Sequence, residues 1–219
     1  MKVLVTGSSG FIGKNLISHL QEINNLEIVK FDKEDSFDKI VSNIDNIDFI
    51  FHLAGINRPV NVEDFYSGNT DLTKKIVDLI KNKNIPILVT SSIQANKDND
   101  YGKSKKLAEE YIKENLNNYY IYRLHNVFGK WGKPNYNSVI STFCYNISHN
   151  LDINVNDEST VLDLIYIDDV CYEFINVLNG NKPSEKIEDY YYINPRYNVS
   201  LGFIVNKLYE FKDSMNSIY

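Results

Sequence analysis

The segment Thr6-Gly7-Ser8-Ser9-Gly10-Phe11-Ile12-Gly13 constrains this chain more than any other. It stands directly behind a β-branched run, Lys2 to Thr6, and directly ahead of an amphipathic stretch that carries Phe11, Ile12, Leu16 and Leu20 at helical spacing to about Ile23. Strand, glycine turn and helix in that order open a βαβ unit whose turn can take a dinucleotide. Gly7 lets the chain turn sharply, Gly10 lets backbone approach a pyrophosphate with no Cβ in the way, and Gly13 lets the helix pack close on the strand. The helix N-terminus then faces the phosphates, and Ser9, Phe11 and Ile12 join the three glycines as candidate cofactor contacts.

Beyond Ile23 the two patterns go on alternating. Apolar runs at Ile28 to Phe31, Phe49 to Leu53, Ile85 to Val89 and Tyr119 to Leu124 are separated by a short helical stretch after Asp32 and by helical patterns around Asp71 to Lys81 and Lys103 to Asn115. Such alternation predicts an α/β protein with a Rossmann-type, doubly wound and mainly parallel sheet. After Gly129 the rhythm changes to a Pro/Asn/Gly-rich loop (Lys130 to Asn137), a helix from Val139 to Ile147, short strands near Ile153 and Leu164, a strand-like run Tyr190-Tyr191-Tyr192, and helical spacing over Ser200 to Phe211. One domain is expected over 1–219, with 1–129 mainly dinucleotide-binding and 130–219 a small C-terminal region that mainly faces substrate.

The composition, 43% hydrophobic and 24% charged, predicts a packed core, and a formal net charge of −6 offers no basic face to a phosphate backbone, so nucleic acid is not an expected partner. Cys144 and Cys171 lie far apart among apolar residues, which suits neither a disulfide framework nor a thiolate site, and no metal-ligand constellation emerges. No apolar run approaches the roughly 20 residues that span a bilayer, and the opening Met1 to Val5 is too short for a signal peptide. A cytoplasmic protein without a membrane partner is expected.

Asp32 follows the second strand, where an acidic side chain can accept hydrogen bonds from the adenine ribose hydroxyls, which favours NAD(H). Lys33 beside it could instead offer a cation to the 2′-phosphate of NADP(H), and a capping role for Asp32 is a third possibility. The second chemical motif is Tyr101-Gly102-Lys103-Ser104-Lys105, with Ser91 and Ser92 ending the preceding strand. A spacing of four puts Tyr101 and Lys105 on one helix face, where an ammonium can lower a phenol pKa of about 10 and let Tyr101 act as acid or base near neutrality. Ser92 can donate a hydrogen bond to a substrate carbonyl and hold it near Tyr101.

These two motifs, in this order and spacing, resemble the extended short-chain dehydrogenase/reductase family of nucleotide-sugar epimerases, dehydratases and reductases. The resemblance covers almost the whole chain. It implies that His52-Leu53-Ala54-Gly55 ends a strand beside the cofactor, with Leu53, Ala54 and Gly55 in contact, and that Asn126 in Arg123 to Gly129 faces the diphosphate of a nucleotide sugar. The stretches His52 to Pro59, Ser91 to Ala95 and Phe128 to Tyr145 resemble a narrower group within that family, reductases of capsular polysaccharide synthesis that carry a C-terminal cupin domain. That likeness implies reduction of a UDP-2-acetamido-2,6-dideoxy-hexulose at C4 by NADPH, with Gln94 and Asn137 among the substrate contacts and a cupin partner outside this chain. A homodimer through the helices around Asp71 and Lys103 is the family's expectation.

The chain also departs from the family. Ile93-Gln94 follow Ser92 where dehydratases carry an acidic pair, so water elimination is not expected. Leu162 stands where many members place a diphosphate-binding arginine, which leaves Lys133 or Arg58 to meet the phosphates. Only a short helix separates Asp32 from the strand that leads to His52, so an extra crossover strand is missing. A 4-epimerase would use the same residues, and a non-catalytic dinucleotide sensor or scaffold is the reading from another class.

Overall fold

The computed structural model describes residues 1–57, 59 and 61–216. In chain order these form β1 (Lys2–Thr6), α1 (Phe11–Leu20), β2 (Glu27–Phe31), α2 (Asp38–Val41), β3 (Phe49–His52), α3 (Glu63–Phe65), a π-helical turn (Tyr66–Asp71), α4 (Leu72–Ile80), β4 (Ile87–Ser92), α5 (Asp100–Asn115), β5 (Tyr119–Leu124), β6 (Asn126–Phe128), α6 (Val139–Ser148), β7 (Val161–Tyr166), α7 (Ile167–Leu178), β8 (Glu185–Ile187), β9 (Tyr190–Tyr192), β10 (Tyr197–Ser200) and α8 (Leu201–Asn216).

Side chains alternate across a strand, and the N-terminal strands carry apolar residues at both phases, so both faces of their sheet must be covered. Val3 and Val5 point to one face and join Leu16 and Leu20 of α1, Phe51, Leu88, and Val170 and Phe174 of α7. Leu4 points to the other and joins Ile76 and Ile80 of α4, Ile112 of α5, Ile50, Ile87 and Ile121. The sheet has seven strands in the order β2-β1-β3-β4-β5-β9-β8, parallel throughout except for the final β9/β8 pair. It is a Rossmann-type α/β fold. A second sheet, β10-β7-β6, packs with α6 and α8 around Phe143, Ile147, Leu164 and Ile204 as the small C-terminal region.

The sheet edge lies at β2, which pairs with β1, and α2 with a 3-10 turn (Ile44–Asn46) leads straight to β3 on the other side of β1. The short connection read from the sequence therefore leaves no room for a further crossover strand. Two readings are corrected. The stretch around Ile153 is irregular rather than a strand: Ile153 and Val155 pack on the third core, but the Asp157 carboxylate takes the Ser159 N–H at 2.9 Å and the Thr160 hydroxyl at 3.0 Å and turns the chain. The segment through Asp168-Asp169, read as part of the substrate side, opens α7, whose Val170, Cys171, Phe174 and Val177 are buried against the main sheet and α1. Together with the β8/β9 hairpin it belongs to the dinucleotide half although it falls within 130–219.

Candidate active site

Parallel strands end in register, so Thr6 stands beside Phe31 and His52, and Ser92 beside Leu124, along one edge of the sheet. A cleft of about 900 Å³ opens at that edge. Its floor at one end is the glycine turn. Gly7 has φ +68°, and a Cβ there would lie 2.8 Å from the Ala54 backbone, while a Cβ on Gly13 would lie 2.1 Å from the Gly7 carbonyl. Backbone therefore fills the space that side chains would take, and Gly7, Gly10, Phe11, Ile12 and Gly13 all line the cleft with Leu53 and Gly55.

Ser9, Asp32, Lys33 and Ala54 support or flank the turn and do not line the cleft. The Asp32 carboxylate accepts from the Ser9 N–H and hydroxyl, each at 2.9 Å, and from the Ser8 hydroxyl, so it braces the turn across the end of β2. Lys33 is exposed beside it. Asn99 caps α5: its side chain accepts the Gly102 N–H at 2.8 Å and starts the helix at Asp100, so that Tyr101 sits in the first helical turn.

Ser92, Tyr101 and Lys105 meet at the centre of the cleft. Ser92 ends β4, its Oγ accepts the Gln94 N–H at 3.2 Å, and its hydroxyl acts on the Tyr101 phenol. Lys105 is 8% exposed, and its Nζ donates to the Thr90 carbonyl at 3.2 Å. A Cβ on Gly55 would stand 2.8 Å from that ammonium, so the glycine leaves room for it. Burial pushes Lys105 down to about 8, against the opposing pull of Glu109 one turn further along α5. Burial raises the Tyr101 phenol above its usual value, with the Ser92 hydrogen bond as a smaller opposing effect. The expectation that Lys105 lowers the Tyr101 pKa is corrected here: the ammonium is turned to Thr90 and Gly55, and desolvation governs the phenol.

The rest of the machinery was not read from the sequence. Glu109 receives Arg123 bidentately, at 3.0 and 2.6 Å, and the Ser91 hydroxyl at 2.5 Å, in a pair that is almost fully buried. Arg123 also donates to Asn96 at 3.0 Å and lies 3.5 Å from the centre of the Tyr190 ring, so α5, β4, β5 and β9 are locked together behind Lys105. The spacing of Glu109 from Lys105, four residues on the same helix, was the signal available. Asn69 in the π-helical turn accepts the Ile56 N–H at 2.8 Å and donates to the Ser104 hydroxyl at 3.0 Å, and nothing in the local pattern announces it.

On the substrate side, Gln94, Asn126 and Asn137 line the cleft with Phe65 and Tyr136, two residues not singled out beforehand. Asn126 donates to the Asp163 carbonyl at 3.2 Å, and Asn137 accepts the Lys133 N–H at 2.7 Å. Lys133 is exposed at the rim of the cleft, with its ammonium over the ring of the lining residue Tyr136. Arg58 lies outside the described residues. Leu162 and Leu164 make the far wall apolar, and among the described lining residues Lys105 is the only lysine or arginine.

Residues 3–192 match the NAD dependent epimerase/dehydratase family. The chain is 45% identical over 227 aligned positions to UDP-2-acetamido-2,6-beta-L-arabino-hexul-4-ose reductase of Pseudomonas aeruginosa, an alignment that takes in 100% of this chain and 59% of that protein. It superposes on the crystal structure of the capsular polysaccharide assembling protein CapF from Staphylococcus aureus with a TM-score of 0.84 at 40% identity, over 98% of this chain and 59% of that one. The chain thus spans 59% of the length of both relatives. The fold alone is shared with UDP-glucuronic acid 4-epimerase from Bacillus cereus, at a TM-score of 0.85 and 18% identity over 97% of this chain and 85% of that one.

Proposed function

This chain belongs to the NAD dependent epimerase/dehydratase family, and from that premise we propose that it reduces the 4-keto group of a UDP-2-acetamido-2,6-dideoxy-hexulose, in the synthesis of a capsular or other surface polysaccharide. The observation that carries the reading is that Ser92, Tyr101 and Lys105 line one cleft with the glycine turn. The Pseudomonas relative, a reductase of a UDP-2-acetamido-2,6-hexul-4-ose, supports the substrate class.

The turn suits a dinucleotide, since the space a Cβ would fill at Gly7 and Gly13 is left to backbone that can meet a pyrophosphate. A bound reduced nicotinamide supplies the hydride to C4. Ser92 donates to the carbonyl oxygen and orients it, Tyr101 gives its proton to the oxygen as the alkoxide forms, and Lys105 would hold the ribose. A 4-epimerase would use the same residues, and the Pseudomonas relative, named as a reductase, is what favours reduction. Asp32 at the end of β2 disfavours a 2′-phosphate, so NADH is the preferred donor although NADPH serves the family too. A cytoplasmic setting, pairing of two copies, and a cupin domain acting at C3 of the same sugar belong to the same proposal.

The test follows absorbance at the reduced-nicotinamide band with NADH and NADPH in parallel and an enzymatically generated UDP-4-keto-6-deoxy-N-acetylhexosamine. Stoichiometric oxidation, faster with NADH, is expected. Dinucleotide binding without oxidation would replace the reductase with the epimerase or the sensor.

A further inference from the structure

One buried titratable group has no part in the reaction above. His52 ends β3 at 1% exposure, directly beneath the cleft, and both ring nitrogens are hydrogen-bonded. Nδ1 lies 2.7 Å from Thr6 Oγ1 at the end of β1, and Nε2 lies 2.8 Å from Thr73 Oγ1 on α4.

The neighbouring bonds settle which nitrogen carries the proton. Thr73 donates its hydroxyl proton to the Asn69 carbonyl at 2.7 Å, and a carbonyl can only accept, so the Thr73 oxygen must accept from His52. Nε2 is therefore the N–H. Thr6 Oγ1 accepts the Ala54 N–H at 3.2 Å, which leaves its own proton for the bare Nδ1. Hydrogen bonds then run in one direction from the Ala54 N–H through Thr6, His52 and Thr73 to the Asn69 carbonyl. An imidazolium would point a second N–H at Thr6, strip the Thr6 proton of its acceptor and face the Lys105 ammonium. Burial, with Lys105 adding to it, holds the ring down to about 3.

Both ends of this relay grip the same few residues. At one end Thr6 fixes Ala54 and leads into Gly7. At the other, the Asn69 side chain accepts the Ile56 N–H at 2.8 Å and donates to the Ile56 carbonyl at 3.1 Å. Between them lies Gly55, where a Cβ would stand 2.9 Å from Asn69 Oδ1 and 2.8 Å from Lys105 Nζ. We propose that His52 is a positioning residue, locked as the neutral Nε2–H tautomer, that holds the Ala54 to Ile56 backbone against Lys105 and so sets where the ammonium meets the nicotinamide ribose. The proposal rests on the dinucleotide reading of the site and not on the identity of the sugar.

Two measurements test it on the intact chain. Long-range nitrogen–proton NMR of histidine-labelled protein from pH 5 to 9, with His52 assigned by its loss in His52→Gln, should show the Nε2–H pattern without titration. A Nδ1–H pattern, or a midpoint near the ordinary histidine value, would overturn the proposal. Calorimetric binding of NADH, with the pH profile of kcat/KM, should show His52→Leu weakening the nucleotide, because the Ala54 to Ile56 backbone is no longer held in place, and moving the Lys105 limb. His52→Gln, whose amide can donate to Thr73 and accept from Thr6, should restore most of both. Native affinity and an unmoved limb in folded His52→Leu would refute the role, as would a glutamine variant no better than the leucine one. Should the leucine variant not fold, the tautomer and the glutamine variant still decide. Wild-type protein that binds no dinucleotide would instead sink the dinucleotide reading, and the role at the ribose with it, while the NMR pattern still reports the relay.

Discussion

Replacing Lys105 by methionine should make the protein more stable and inactive at once. The lysine is 8% exposed and its pKa is pushed by burial from 10.5 to about 8. That displacement corresponds to roughly 3 kcal/mol against the charged form in the folded state. The folded protein gives up this proton more readily than the unfolded chain does. The penalty is therefore complete below pH 8, fades as pH rises from about 8 to 10.5, and is gone above. Methionine matches the length of the stem and carries no charge. At about 2–4 °C per kcal/mol for a chain of this size, Lys105→Met should unfold roughly 6–12 °C higher than the wild type at pH 7. The gap should shrink toward zero near pH 10.5. Thermal denaturation of both proteins at pH 7, 8.5 and 10 reads this directly, because every other titrating group cancels in the difference. A variant that is equally or less stable at pH 7, or a gap that does not change with pH, would refute the reasoning.

Tyr101→Phe keeps the ring and removes the proton, so kcat should fall by about 10²–10⁴ while the NADH dissociation constant from calorimetry stays within a factor of about two, since general acid catalysis and not binding is lost. Gly13→Ala places a Cβ 2.1 Å from the Gly7 carbonyl, which forces α1 off β1; NADH binding should be abolished in protein that still shows native far-UV circular dichroism. Glu109→Gln leaves the buried Arg123 without its anion and should cost about 3–5 kcal/mol in urea denaturation, with part of the loss recovered when Arg123→Met is added.

The parts of the site that were legible in the sequence are those whose chemistry is local. Gly7, Gly10 and Gly13 sit within one turn, Tyr101 and Lys105 within one helical turn, and the flanking strands are continuous apolar runs. What escaped depended on distance or direction. His52 meets Thr73, and Glu109 meets Arg123, only after the sheet forms. Lys133 was assigned by charge, yet its direction is set by a loop in which Trp131 (φ +64°) and Asn135 (φ +57°) reverse the backbone and Asn135 is tied to Thr142. The start of α7 did carry a signal: Asp168 and Asp169 in the first turn favour a helix N-terminus, and Val170, Phe174 and Val177 have helical spacing. The Tyr101 pKa could not be read at all, because burial belongs to the assembled cleft.

The place of α7 also bears on the order in which the protein can be made. Val3, Val5 and Phe51 emerge from the ribosome before Ile165, Val170, Phe174 and Ile193, which cover part of the face they share. Until those later residues have been synthesised, that face is incompletely covered and stays sticky to chaperones and to other nascent chains. A fragment ending at residue 129, which reads as a complete nucleotide-binding half, should therefore aggregate, and fragments reaching past Ile193 should be the shortest from this N-terminus to stay in solution.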